Sequence, residues 1–558
     1  MPVEGATAKF PRLPMKILLS LLATLGLPLL ALAQTTPPAP ALAGLPPPPN
    51  GVVKPDLPTL FVAGDSTAAN NSGGLVGWGV PFRDYFDPAK LNVVNRARAG
   101  RSTRTFISEG LWDKLIAEVK AGDTVLIQFG HNDGSPVNED ASVPREKWRS
   151  RGTLPGLGEE TQEIVNVLTN QPETVHTFGW YMRKMIADVQ AKGATPIILS
   201  LTVRDIWKDG RVERGSGRFR EWDRALAETA GIAFVDLTRL IADDYQLRGQ
   251  AEVHALFGTD HTHTNAAGAE VNAALVVAGL KGIRKGTWSD YLSAKGEAVE
   301  ADRLGWLNLP EPADPQLPSI VLVGDSLVRN GRNDGAGGQW GWGDFLADHF
   351  DPAKINLVNR AVGGLSSRTY LTQGHWARAL TLIKPGDFVL IQLGHNDPGP
   401  LSEDASVPPE RRRARGTLKG VGEESQEVDN ILTGQREVMH TYGWYIRRFV
   451  REARLAGATP IVCSLTPRKT WRDGKIVRSG ADSYGGWARQ VAEQEGAAFL
   501  DINDLVATRY EALGPERVEP LFGDANQHTS LAGAKVNAEI VATALRALPG
   551  DPLGAFAR

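Results

Sequence analysis

A chain of 558 residues exceeds what one hydrophobic core can serve, so at least two domains are expected. Its 61 Lys and Arg against 64 Asp and Glu, with no basic tract, lack the charge needed to neutralise phosphates, which excludes nucleic acid as the expected partner. The single cysteine, Cys463, sits in the strand-like IVCSL and rules out an intrachain disulfide, so packing alone must hold the fold.

Taken in chain order, Lys9, Arg12 and Lys16 precede the apolar run Ile17 to Ala33, which ends in Ala31-Leu32-Ala33. That is the pattern of a cleavable export signal over 1–33. Pro28 interrupts the run and no basic flank follows it, so a membrane anchor is the weaker reading and the mature chain is expected to carry no membrane span. Residues 34–57 are Pro-rich, lack apolar periodicity and read as an extended linker.

From residue 58 onward the sequence is written twice. FVAGDST recurs as VLVGDSL, NRARAGRSTRTF as NRAVGGLSSRTY, VLIQFGHND as VLIQLGHND, RGTLPGLGEET as RGTLKGVGEES and HTNAAGAEVNA as HTSLAGAKVNA, at a nearly constant offset. The copies span 58–290 and 317–550. Between them lies a linker over 291–316, with one expected helical stretch from Ser289 to Leu307 that the Pro-containing LPEPADPQLP should end. Within each copy, apolar runs such as LFVAG, TVLIQFG and TPIILSL alternate with longer amphipathic segments such as WYMRKMIADVQAKG. Alternation of this kind predicts an α/β fold, with a central parallel sheet covered by helices on both faces. Reactive groups then collect beyond the carboxyl ends of the strands, where GDS, GHND and HTN fall.

Ser66 directly follows the strand Leu60 to Ala63, and Ser326 follows Ile320 to Val323 in the same way. A serine after Gly-Asp serves equally well as a turn or cap residue, but an activated serine also needs a base, an orienting acid and oxyanion donors. Candidates for all of these follow in chain order. On those residues the chain resembles the SGNH hydrolases, whose signature positions are the Ser of GDS, a second-block Gly, the Asn of GHND and the His of a terminal D-x-x-H. In the first copy these are Ser66, Gly100, Asn132 and His263, with Asp260 three residues before the histidine. The resemblance implies tandem three-layer α/β/α, flavodoxin-like domains. It implies Ser66 as nucleophile, His263 as general base and Asp260 as its orienting acid, with an oxyanion hole from the N–H groups of Ser66 and Gly100 and the Asn132 amide. The stretches RSTRTF and LSSRTY, and GATPI followed by SLT, are similar to the rhamnogalacturonan acetylesterase-like branch. That likeness implies a carbohydrate O-acetylesterase acting on an acetylated pectic polysaccharide, and the export signal makes it secreted or periplasmic. The alternatives are an SGNH lipase, arylesterase or thioesterase, or a polysaccharide-binding protein with a degenerate second domain.

Three positions remain open at this level. His261 and His263 suggest a metal pair, but no further Cys/His cluster supplies ligands, so neither metal nor cofactor is expected. Trp78 and Trp342 occupy matching GWG positions and are candidates for stacking on a sugar ring, with core packing as the alternative. In the second copy Ser326, Gly364, Asn396 and His528 are retained, but Ala525 stands where the acid is expected and the nearest carboxylate is Asp524. Three readings follow: Asp524 reaches by a loop adjustment, His528 works without an acid, or the copy is a remnant. Because the acid is displaced, the second copy is expected to be the weaker catalyst, unless Asp524 serves as a full third member.

Overall fold

The computed structural model describes residues 53–558 except 141, 216, 284–287 and 303–304; the expected export signal and most of the Pro-rich linker lie outside the described residues. Each copy is built on a five-stranded parallel sheet. In the first, the spatial order is Asn92–Asn95, Thr59–Gly64, Thr124–Gln128, Thr195–Leu199, Ala233–Val235. In the second it is Asn356–Asn359, Ser319–Gly324, Phe388–Gln392, Thr459–Cys463, Ala498–Leu500. The chain starts inside the sheet, crosses to one edge and returns to the other side, so the carboxyl ends of the first and third strands flank a topological switch point.

The central strands are apolar throughout because both faces are covered. Leu60 and Val62 face one core, while Phe61 and Ala63 face the other. Their counterparts Ile320 and Leu322, and Val321 and Val323, divide in the same way. Among the described residues no helix is long and apolar enough to cross a membrane.

The segment between the copies differs from the single helix expected. It folds as a turn at Trp288–Tyr291, a short helix at Ala294–Glu297 and a turn at Gly305–Leu307. Its hydrogen bonds go outward rather than along a helix axis: Asp87 N donates to Tyr291 O at 2.8 Å and Ser293 N to Tyr85 O at 3.0 Å. Further on, Leu307 and Leu309 enter a core of the second copy, whereas the Glu311 carboxylate accepts from Arg214 (3.2 Å) and Arg220 (2.9 Å) of the first. Arg211 Nη1 donates to Thr381 O across the same junction at 2.9 Å. The segment is therefore a packed seam.

Candidate active site

The nucleophile candidate sits where a strand ends and the chain turns. Thr59–Gly64 stops at Asp65, whose Oδ1 accepts from Thr67 N at 2.9 Å and fixes the turn that presents Ser66. Ser66 Oγ lies 2.8 Å from His263 Nε2, and His263 Nδ1 lies 2.8 Å from Asp260 Oδ2. The other Asp260 oxygen accepts from the backbone N–H of Thr262 (2.7 Å) and His263 (2.8 Å). Burial works against a charged Asp260, but the hydrogen bond from the His263 ring and those two N–H donors outweigh it and hold the carboxyl below its ordinary value. His261 has no place in this chain, and its carbonyl accepts from Asp205 N instead.

The second copy repeats the arrangement. Ser326 Oγ is 2.9 Å from His528 Nε2, and His528 Nδ1 is 2.6 Å from Asp524 Oδ2. The displaced acid is thus in contact with its histidine, and the loop shows why. Both loops run from a glycine to the histidine over the same number of residues, closed by Gly258 N to His263 O (3.0 Å) and Gly523 N to His528 O (2.8 Å). Only the acid moves one place within them. The Asp524 Oδ1 atom compensates by accepting from three successive N–H groups, Asn526 (3.1 Å), Gln527 (2.7 Å) and His528 (2.9 Å), so the backbone curls around the carboxylate. Its carboxyl is also held below the ordinary value, burial being outweighed by the N–H of Gln527 and the His528 ring.

Donors converge beside each serine. Gly100 has φ +76° and Gly364 has φ +83°, a conformation that side chains rarely adopt, and this sets their N–H groups at the turn after the second strand. The backbone N–H groups of Ser66 and Gly100, and of Ser326 and Gly364, donate to no acceptor among the described residues. Asn132 Nδ2 spends one proton on Arg101 O at 2.9 Å, and Asn396 Nδ2 one on Leu365 O at 2.9 Å. An amide nitrogen carries two protons, so each keeps a second N–H for a ligand. Together these groups can polarise an ester carbonyl and hold a tetrahedral oxyanion.

The tryptophan expectation is corrected here. Trp78 is 0% and Trp342 1% exposed, and their indole N–H groups donate to Gln128 Oε1 (2.8 Å) and Gln392 Oε1 (2.9 Å). An enclosed ring with its donor spent cannot stack on a sugar; both are core residues that anchor the third strand to the GWG turn.

Several supporting residues escaped the sequence reading. Arg151 Nη1 donates to Gly100 O at 3.1 Å and Arg415 Nη1 to Gly364 O at 3.2 Å, steadying the peptides of the oxyanion turn. The motif RSTR also resolves into separate tasks. Ser102 caps its helix, Thr103 donates to the buried Asp133 (N–H, 3.0 Å), and Arg104 reaches Glu173 at 2.7 Å and the carbonyls of Val137 (2.7 Å) and Gly152 (2.9 Å). Burial pushes the Asp133 carboxyl up to about 7, and Asp397 likewise. Next to the site, burial holds the His131 imidazole down to about 4, whereas the Asp325 carboxylate, 2.9 Å from His395 Nδ1, overcomes burial and raises His395. The exact repetition of GHND and R-x-R-G-T in both copies was the available signal.

Comparison with known proteins agrees with this geometry. The profile of the GDSL-like Lipase/Acylhydrolase family matches residues 62–271 and again 322–536. A rhamnogalacturonan acetylesterase of Emericella nidulans is 35% identical over 216 residues, which is 38% of this chain and 81% of that protein. Two Bacillus subtilis proteins, the probable rhamnogalacturonan acetylesterase YesY and the rhamnogalacturonan acetylesterase RhgT, are each 28% identical, over 42% and 40% of this chain and 94% and 89% of their own lengths. With the family profile met twice, in tandem, the chain belongs to the GDSL-like lipases and acylhydrolases and is a carboxylic ester hydrolase.

Proposed function

We propose that the protein is an exported carbohydrate O-acetylesterase with two working sites, removing acetyl groups from a pectic polysaccharide of the rhamnogalacturonan kind. The observation that carries this reading is the Ser–His–Asp chain of contacts, present in both copies within 2.6 to 2.9 Å. The names of the relatives supply the substrate class. Lys9 to Ala33 supply the export signal, and release to the periplasm or the medium follows from it.

In this mechanism Ser66 or Ser326 attacks the acetyl carbonyl carbon while His263 or His528 takes the serine proton on Nε2. Asp260 or Asp524 keeps the ring oriented with Nδ1–H toward the carboxylate and stabilises the imidazolium. The oxyanion is met by the paired N–H groups and the asparagine amide. As the tetrahedral intermediate collapses, the sugar oxygen leaves with the proton from Nε2. Water, deprotonated by the same histidine, then attacks the acetyl-enzyme and frees acetate. The test is acetate release from acetylated rhamnogalacturonan by wild type and by the Ser66→Ala/Ser326→Ala double variant. Wild type should release acetate and the double variant should fall at least about 10³-fold. Equal release by both would overturn the assignment.

A further inference from the structure

The two sites share their reacting groups but not their surroundings. After the second strand of the first copy come Arg98, whose backbone N–H donates to Gly64 O at 2.9 Å, and Arg101, whose carbonyl accepts from Asn132, while Arg151 donates to Gly100 O. Position 98 matches Val362, which lines the cavity of the second site. Arg98 is exposed, and its guanidinium has no ion-pair or hydrogen-bond partner among the described residues. Arg101 pairs with Glu109 at the surface, at 2.8 Å. In the second copy the matching residues are Val362, Leu365 and Gln373, leaving Arg415 as the lone cation of the set. Val362 and Leu365 are buried, and they share a core with Leu307 and Leu309 of the segment between the copies.

That segment is clamped in place. Arg329, buried where the first copy has Ala69, donates through Nη2 to Leu307 O (3.0 Å) and Asn308 O (3.4 Å). Arg360, also buried, donates through Nη1 to Leu309 O (3.4 Å) and Pro310 O (3.1 Å). Four consecutive carbonyls are thus held by two arginines whose charges face inward. Leu307 and Val362 then form an apolar part of the wall of the second site, a cavity of about 410 Å³ that is also lined by Ser326, Asn396, His528 and the one cation Arg415.

We propose that Arg98 gives the first site a stronger preference for acetyl esters on anionic, uronate-bearing chains than the second site has, where Val362 takes its place and the segment between the copies covers that face. The inference rests on the esterase reading above. A guanidinium free of partners attracts and can bind a carboxylate bidentately, with a salt-dependent gain. Where Leu307 and Val362 stand, the second site offers a carboxylate nothing in return for its lost water, and only Arg415 remains to attract it.

Full-length Ser326→Ala, which leaves the first site, and full-length Ser66→Ala, which leaves the second, are each assayed on acetylated polygalacturonate and acetylated xylan between low and 0.5 M salt. p-Nitrophenyl acetate serves as the control for esterase activity itself. The first site should favour the acidic polymer, with a KM that rises about tenfold across the salt range, and the second should favour it clearly less, with a clearly smaller rise. Adding Arg98→Ala to Ser326→Ala should raise KM on the acidic polymer about tenfold more than on the neutral one, and Arg98→Lys should recover part of the loss. Both sites active on p-nitrophenyl acetate with the same polymer preference and the same salt response would overturn the proposal while leaving the esterase reading intact. Inactivity of both on p-nitrophenyl acetate would instead overturn the esterase reading beneath it.

Discussion

At the scale of single residues, the structure changes what is expected of the second copy. Because Asp524 meets His528 through an equal-length loop, Asp524→Ala in a Ser66→Ala background should cost as much as Asp260→Ala in a Ser326→Ala background, up to about 10⁴ in kcat. Ala525→Asp should bring no gain, which the same kcat measurement checks. The serines, asparagines and histidines that the structure brings together were legible in the sequence because each stands in a block repeated in both copies. The reach of Asp524 was not, because counting residues measures distance along the chain, while the three N–H groups that gather its carboxylate depend on how the loop curls. Trp78 misled for a related reason: its partner Gln128 lies far along the chain on another strand, so a core indole and a sugar platform look alike in sequence. Trp342→Phe should accordingly lower thermal stability by about 1 kcal/mol, since Gln392 Oε1 loses its short bond and keeps only the long one from Thr466 at 3.4 Å, and should leave KM unchanged.

At the scale of elements, the sheet and its covering helices were predictable from apolar runs alternating with amphipathic segments, whereas the loops that carry the site are fixed by buried polar contacts with no periodic signature. Asp133 is the clearest of these. Its carboxyl rises from an ordinary 3.8 to about 7 because it is buried, so the folded state binds a proton the unfolded state has released between those values. Its contribution to stability is therefore present at low pH and lost as pH climbs through about 7. Asp133→Asn mimics the protonated form, keeps an acceptor for Thr103 and lacks that loss. The melting temperature of the variant relative to wild type should be higher at pH 8.5 than at pH 5, and an unchanged difference would show that Asp133 is charged throughout.

At the scale of the whole molecule, the two copies read in sequence as separate units, yet Glu311, half-buried between Arg214 and Arg220, ties the seam to the first copy while Leu307 and Leu309 fill a core of the second. No pattern in 291–316 announces this, because an ion pair's partners lie some distance away along the chain. Glu311→Gln leaves Arg214 to Asp243 and Arg220 to Asp236, and should cost on the order of 1 kcal/mol and split one calorimetric unfolding transition into two. The central claim, that both copies are working serine esterases, is tested most directly by counting serines labelled by a fluorophosphonate on the intact chain. Two labels per wild-type chain, one in either Ser66→Ala or Ser326→Ala and none in the double variant, with each single variant still releasing acetate, is the result the geometry predicts; a single label that vanishes with Ser66→Ala would contradict it.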